Sequence, residues 1–406
     1  MKNILLACSL LLLCLLNACE DGPPVLPGLI KSKIALITIP DSSSIKLNHS
    51  ELNVLTPYVI DDLDPGFYKI DLINPFYYDS TIYYILNRNV NDTILIEMKE
   101  IPAYWWKTYN TSNSQIPTNS ITRIKADNTY NIWIGTAGSG LLNFDGSNFT
   151  VYNKSNSGIQ NDFINDIYID NNNTWVATGK GFSKFDGANW ITYNSDNLNI
   201  PDDYTTTIIK DLNGIFWIGT LNGGLIKFDG VEVTVYNYSN SGIPSDYISA
   251  LAIDHSNLLW IGTRGEGIAT FDGENWNVYN SFSSELINSY ITKIIGDREG
   301  NIWIGSGTET LPGGLTKYDG TDFTDYNYSQ SELPGSIVTD IALDLKEGIW
   351  ISTNNGVAKL EGQRWRIYNA SNSLLPANNI NSITVDLNGD KWMSCGGLVK
   401  YWGQTE

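Results

Sequence analysis

The chain has 406 residues, of which 42% are hydrophobic and only 17% charged, with 36 Gly, 13 Trp and 23 Tyr. So many large apolar side chains exclude a disordered chain, and few Met beside abundant Asn, Thr, Ser and Gly favour strands and turns over helices. Lys and Arg number 25 against 44 Asp and Glu, a net charge of −19, which argues against nucleic acid and anionic lipid as partners. With 2 His and 4 Cys there is little for imidazole or thiolate chemistry to use, and no catalytic, metal or cofactor site is expected.

Lys2 is followed by an apolar run, Ile4 to Leu16. It is shorter than the roughly 20 residues that cross a bilayer, so residues 1–18 read as a secretory signal. The run ends in Leu16-Asn17-Ala18-Cys19, which resembles the lipobox of bacterial lipoproteins. The resemblance implies cleavage before Cys19, lipidation of its sulfur, and an outer-membrane lipoprotein facing the periplasm or the cell surface. Membrane attachment is then through the lipid only. Cys8 and Cys14 leave with the signal, so Cys395 has no disulfide partner. Residues 19–32 carry Pro23, Pro24, Pro27 and Gly28 and read as an extended tether.

Alternating and β-branched runs then predict strands over Ile34–Ile39, Ser44–Leu47, Tyr58–Ile60, Phe67–Ile73, Thr81–Leu86 and Thr93–Met98. Turns at Pro40-Asp41, Asp64-Pro65-Gly66 and Asn74-Pro75 separate them. A small antiparallel β-sandwich is expected over residues 33–98. Thr56-Pro57 and Leu63-Asp64-Pro65-Gly66-Phe67-Tyr68, after a Pro40-led strand, resemble a PEGA domain, with Ser42-Ser43 where that family has Gly-Ala. The resemblance implies a non-catalytic spacer or adhesion module. Tyr77, Tyr78, Tyr83 and Tyr84 either pack the sandwich and its rim or form an aromatic adhesion face.

From residue 105 the chain repeats itself. Trp133, Trp175, Trp217, Trp260, Trp303, Trp350 and Trp392 head equivalent strands, spaced 42, 42, 43, 43, 47 and 42 residues apart. Each follows an Asp-led turn such as Asp297-Arg298-Glu299-Gly300 and precedes a Gly-rich loop. In the fourth copy the unit predicts strands A (Ile248–Ala252), B (Leu259–Thr263), C (Gly267–Phe271) and D (Trp276–Asn280). Four strands at this period are the signature of a β-propeller blade. Strand D ends in Tyr-Asn seven times, first at Tyr109-Asn110, before any A strand, and the last C strand, Leu398–Tyr401, has no D strand after it. The expected fold is therefore all-β: the small sandwich, then a seven-bladed propeller over residues 104–402, closed by residues 105–110.

The motif Asp-x-x-Gly-x-hydrophobic-Trp-hydrophobic-Gly-Thr followed by Gly-Gly-Leu, seen in Asp297–Ser306 and Trp217–Leu225, resembles the two-component regulator propeller. In that family the propeller is often the extracytoplasmic sensing half of a hybrid histidine kinase. These 406 residues contain no kinase or receiver region, so the kinase role does not carry over.

The Asp-led turns read as Asx-capped hairpins rather than calcium loops, because the twelve-residue spacing and terminal Glu of an EF-hand are missing. Binding is better supported. Just before strand A, four consecutive blades carry Phe163, Tyr204, Tyr247 and Tyr290, where the others have Ser120, Ser336 or Ile337, and Asn379. The B–C loops of the same sector bring Asn222, Arg264, Glu266, Thr308 and Glu309. Aromatic platforms flanked by amides and one Arg suit a carbohydrate or an envelope protein, although the rings could equally plug the channel. The expected function is a non-catalytic, membrane-anchored binding or sensing propeller. A polysaccharide lyase or hydrolase, and a structural envelope scaffold, are the alternatives.

Overall fold

The computed structural model describes residues 32–39, 43–73, 80–87, 91–97, 105–282, 284, 286–346 and 348–403. The signal, Cys19, most of the tether, Tyr77 and Tyr78 lie outside the described residues. The chain divides into two compact units, Met1–Pro102 and Ala103–Glu406. Among the described residues all regular elements are strands.

The first unit holds β1 (Ser32–Ile39), β2 (Ser44–Leu47), β3 (Ser50–Leu55), β4 (Tyr58–Leu63), β5 (Gly66–Ile73), β6 (Ser80–Leu86) and β7 (Asn91–Glu97). They form two sheets, ordered β4-β1-β7 and β3-β2-β5-β6. Alternation in β5 buries Tyr68, Ile70 and Leu72 against Ile34, Leu36, Ile45 and Leu86. Two features differ from the sequence reading. Asn48 and His49 both take positive φ, 47° and 72°, and fold an extra strand, β3, back onto β2. And β7 pairs with β1 in parallel, so the unit is mixed rather than antiparallel. Tyr83 is exposed and stacks on Phe67 with centroids 5.8 Å apart, whereas Tyr84 donates its hydroxyl hydrogen bond to Asp92.

The second unit contains seven four-stranded sheets. Their inner A strands are Ile121–Ala126, Ile164–Asp170, Thr205–Lys210, Ile248–Ile253, Ile291–Gly296, Val338–Leu343 and Ile383–Val385. Each packs on the next, and Ile383–Val385 packs on Ile121–Ala126. The fold is a closed β-propeller. In the seventh sheet the outer strand is β8 (Trp106–Tyr109), antiparallel to Leu398–Tyr401 in the register Leu398↔Tyr109 to Tyr401↔Trp106.

The repeated residues each have a mechanical reason. The B strand, such as Phe216–Thr220, is buried at every position because both its faces lie between neighbouring sheets. In five sheets its indole Nε1 donates to the Asp of the A–B turn, as Trp217 to Asp211 at 3.0 Å and Trp303 to Asp297 at 2.8 Å. The other oxygen of Asp297 accepts the N–H groups of Glu299 and Asn301, so the turn carboxylate is fully used without a metal. Trp175 and Trp350 lack this partner, because Asp170 turns to Lys210 at 2.8 Å and Asp344 to Lys359 at 3.2 Å. The Asn of every Tyr-Asn pair accepts the backbone N–H two residues on, which shapes all seven D–A loops. At Gly224 φ is 82°, and a Cβ would sit 2.3 Å from the Tyr236 carbonyl oxygen, so the start of strand C admits only Gly.

A repeated side-chain hydrogen bond to a main-chain carbonyl joins each inner strand, or the residues leading into it, to the next. Thr122 donates to the Ile164 carbonyl, Asn165 to Thr205, Thr206 to Ile248, Ser249 to Ile291, Thr292 to Val338, and Thr339 to Ile380. Asn381 then donates to Ile121 at 3.2 Å and completes the circle. Thr206→Val keeps the shape and removes the donor, so urea unfolding should show a loss of about 1–3 kcal/mol. Thr234→Val, on an exposed outer-strand position, should stay within about 0.5 kcal/mol. Equal effects at both sites would deny the bond its role.

Candidate functional site

The D–A and B–C loops meet at one end of the propeller. In six sheets the B–C loop is bonded through its backbone to the residue just before its own A strand and to the D–A loop of the next sheet. Thus Arg264 N donates to Tyr247 O, and Gly265 N to Ser289 O. The same contact made by Ala137, Gly179, Leu221, Gly307 and Asn354 identifies Ser120, Phe163, Tyr204, Tyr290 and Ile337 as the equivalents of Tyr247. The sixth-sheet counterpart is therefore Ile337 and not Ser336.

The structure brings three of the expected residues into one cluster. Arg264 donates from Nη1 to the Tyr247 hydroxyl at 2.7 Å, and its guanidinium lies 5.2 Å from the centre of that ring. Arg264 also forms a β-bridge with Tyr290, whose ring lies over Gly265, where a Cβ would meet it at 3.3 Å. Both tyrosines are half-buried and Arg264 and Glu266 are exposed, so the cluster is a platform open to solvent. Tyr204 and Asn222 sit together beside a shared carboxylate, since Asp202 accepts both their backbone N–H groups, at 2.9 and 2.8 Å. Phe163 stands apart, bridged to Ala137 and exposed. Thr308 closes its own loop by accepting the Leu311 N–H at 3.0 Å, and Glu309 is exposed on that loop. Asn288 links this loop to the cluster, donating to Leu311 and Pro312 carbonyls while accepting the Tyr290 N–H.

Sequence reasoning missed a second feature, in the channel. The third position of the first six inner strands reads Arg123, Asp166, Thr207, Ala250, Lys293 and Asp340, and Ser382, just before Ile383–Val385, is its counterpart in the seventh sheet. Asp340 pairs with Lys293 at 3.0 Å and Arg123 at 3.5 Å, and accepts hydrogen bonds from Ser382 Oγ and the Ile383 N–H. Asp166 pairs with Arg123 at 3.3 Å and accepts from Thr207 Oγ1 and the Ile208 N–H. Burial opposes the charge of Asp340, but Lys293, Arg123 and Lys125 outweigh it and hold the carboxyl far below the ordinary range. The signal was available in the repeat: Ile-Thr-Arg-Ile, Ile-Asn-Asp-Ile, Ile-Thr-Lys-Ile and Val-Thr-Asp-Ile align once the copies are stacked.

Other candidate chemistry is absent from these positions. His255 is exposed in an A–B turn, at the opposite end from the B–C loops. Cys395 donates to the Ala377 carbonyl at 2.9 Å, and burial pushes its thiol up to about 11, so it stays protonated. Among the described residues no group of three His, Cys, Asp or Glu is placed to hold a metal ion. A cavity of about 680 Å³ lies at the A–B turns of the sixth and seventh sheets, where Lys400 is committed to Asp390 at 2.7 Å.

Comparison with known proteins places these loops in context. The family model described as two component regulator propeller matches residues 242–265 and 285–308. Among solved structures, the chain resembles the extracellular domain of BT3049 from B. thetaiotaomicron, described as a hybrid two component system. Identity is 19%, over 86% of this chain and 53% of that one, with a TM-score of 0.62. The extracellular domain of BT4673 from the same organism gives 17% identity over 75% and 40%, with a TM-score of 0.56. A virginiamycin B lyase from Staphylococcus aureus, solved with quinupristin, gives 15% identity over 73% and 98%, with a TM-score of 0.58. The chain thus spans about half the length of the BT3049 domain or less of such sensors, and these likenesses establish the fold. No curated protein matches it by sequence.

The channel network makes a stability prediction with a definite sign. Asp340→Asn strands Lys293 and Arg123, and should cost about 3–5 kcal/mol at pH 7. Because the folded carboxyl is held below its unfolded value of about 3.9, its contribution is complete above that pH and is lost as pH falls below it. The gap between wild type and variant, measured by urea unfolding, should therefore narrow below pH 4. A gap unchanged into that range would mean the charge is not what stabilises.

Proposed function

We propose that the chain is a membrane-anchored, extracytoplasmic binding or sensing protein, without catalytic activity of its own, that offers its loop face to a carbohydrate or an envelope protein. The observation that carries this reading is the Tyr247–Arg264–Tyr290 cluster: two half-buried rings and one exposed guanidinium held in place by backbone and side-chain bonds. Aromatic faces and Arg are the groups that concentrate binding energy at interfaces, and pre-positioning them lowers the ordering cost of capture. The two matched repeat segments contain Tyr247 and Arg264, and Tyr290 and Thr308. The similarity to extracellular domains of two component systems supports a sensing role. Cys19 supplies the anchor, and the PEGA-like unit acts as spacer.

A glycan and envelope-protein array, probed with the chain from residue 22 onward, should return a ligand. Calorimetric titration with that ligand should then show losses of about 1–3 kcal/mol for Tyr247→Ala and Arg264→Ala at unchanged melting temperature. Asn379→Ala, in the seventh sheet, should do little. Equal losses around the ring would place the ligand elsewhere, and loss of melting temperature without loss of affinity would make these side chains structural.

A further inference from the structure

We infer that the propeller channel is a second binding site, separate from the loop face, for a small organic monocarboxylate held by Lys125 with Arg123 and Lys293. The channel encloses a cavity of about 240 Å³ lined by these three cations and by Tyr168, Ile209 and Ala252. That is below the roughly 300–1,000 Å³ of pockets for drug-sized ligands, and suits a short-chain acid or a single sugar acid.

The charge count favours an anion. Three cations meet two carboxylates, Asp166 and Asp340, in a chain whose net charge is −19. Both carboxylates are saturated by the ion pairs and hydrogen bonds given above. The side chain of Lys125, two residues beyond Arg123 on the same strand face, makes no direct ion pair among the described residues and feels Asp340 and Asp166 only at longer range. Arg123 Nε is buried and lies 3.3 Å from Asp166 in an ion pair that lacks hydrogen-bond geometry. Lys125 is half-buried in the channel, and one added negative charge balances the three cations against the two carboxylates. A single carboxylate does so, whereas a phosphate carries about −1.5 to −2 and overshoots. The rest of the wall mixes apolar Ile209 and Ala252 with polar Thr207 and Ser249 and with the Asp166 carboxylate, which is paired with Arg123, so it offers both apolar contact and hydrogen bonds to the body of such a molecule.

The charge of Lys293, and then burial, push the Lys125 ammonium down to about 8. The groups facing it are Lys293 from the fifth sheet, Asp340 from the sixth, Asp166 and Tyr168 from the second, and Arg123 on its own strand. Tyr168 is raised by burial and by Asp170, so it stays neutral across this range. A bound carboxylate favours the charged ammonium, so binding above pH 8 takes up a proton and weakens as pH rises. If Lys125 stays charged in the complex, affinity falls by roughly 30-fold between pH 7 and pH 9.5.

Isothermal titration of the protein with pyruvate, D-glucuronate, D-glucose and inorganic phosphate tests the site. The expected result is binding of pyruvate or D-glucuronate but not glucose, with that pH dependence. Lys125→Met and Lys125→Gln should each lose at least tenfold in affinity while melting at or above the wild-type temperature. Tyr247→Ala should leave this binding unchanged, which separates the channel from the loop face. The inference is overturned if neither acid binds at millimolar concentration, if phosphate binds more tightly than both, or if affinity survives both Lys125 variants or is flat with pH.

Discussion

The hydrogen bond that each inner strand hands to the carbonyl of the next is the constraint on which the propeller depends. The donor is a Thr, Ser or Asn, at the second position of strand A in six sheets, and the acceptor is the first residue of the neighbouring A strand; in the seventh sheet Asn381 and Ile380, just before Ile383–Val385, take these places. Thr and Ser have short reach, so the bond forms only if adjacent strands keep one spacing and one register. The Asn381–Ile121 bond requires the last sheet to meet the first in that same register. β8 supplies the missing outer strand there, and Gly397, at φ 133°, lets the Tyr109 carbonyl approach where a Cβ would stand 2.4 Å away. Register at the axis and pairing at the rim are therefore two halves of one closure.

A ring fixed at the second position frees the third to vary. There the side chains are Arg, Asp, Thr, Ala, Lys, Asp and Ser in turn, and the structure uses the variation to tie non-adjacent sheets, since Arg123 reaches both Asp166 and Asp340. Ser382 adds to the seam, donating to Asp340 and accepting the Ile124 N–H at 3.1 Å. Fixed register also sets the heights of the D–A and B–C loops. Only then can Arg264 bond Tyr247 of its own sheet and bridge Tyr290 of the next. The candidate binding residues thus lie at positions that the repeat leaves unassigned.

The repeat made most of the propeller legible in the sequence, because Trp recurring at one pitch and Tyr-Asn at the end of each unit mark strands B and D. The first unit was harder to read. Ser50–Leu55 carries Glu and Asn among its apolar residues, and its turn is made by Asn48 and His49 rather than by a Gly. The parallel pairing of β1 with β7 joins distant segments and leaves no local mark. The aromatic position of the loop face could be counted, but the pairing of Arg264 with Tyr247 and Tyr290 could not, because it depends on loop conformation. The channel charges were visible one at a time and became a network only when the ring brought distant strands together.

Native-state hydrogen exchange tests the closed ring most directly, because it reports opening free energies strand by strand. If the ring is closed as described, amides of Trp106–Tyr109 and Leu398–Tyr401 exchange with the same free energy of opening as those of Thr205–Lys210 and Phe216–Thr220. Protection at the seam that is markedly lower than in the third sheet, with exchange through a local opening of β8, would contradict it.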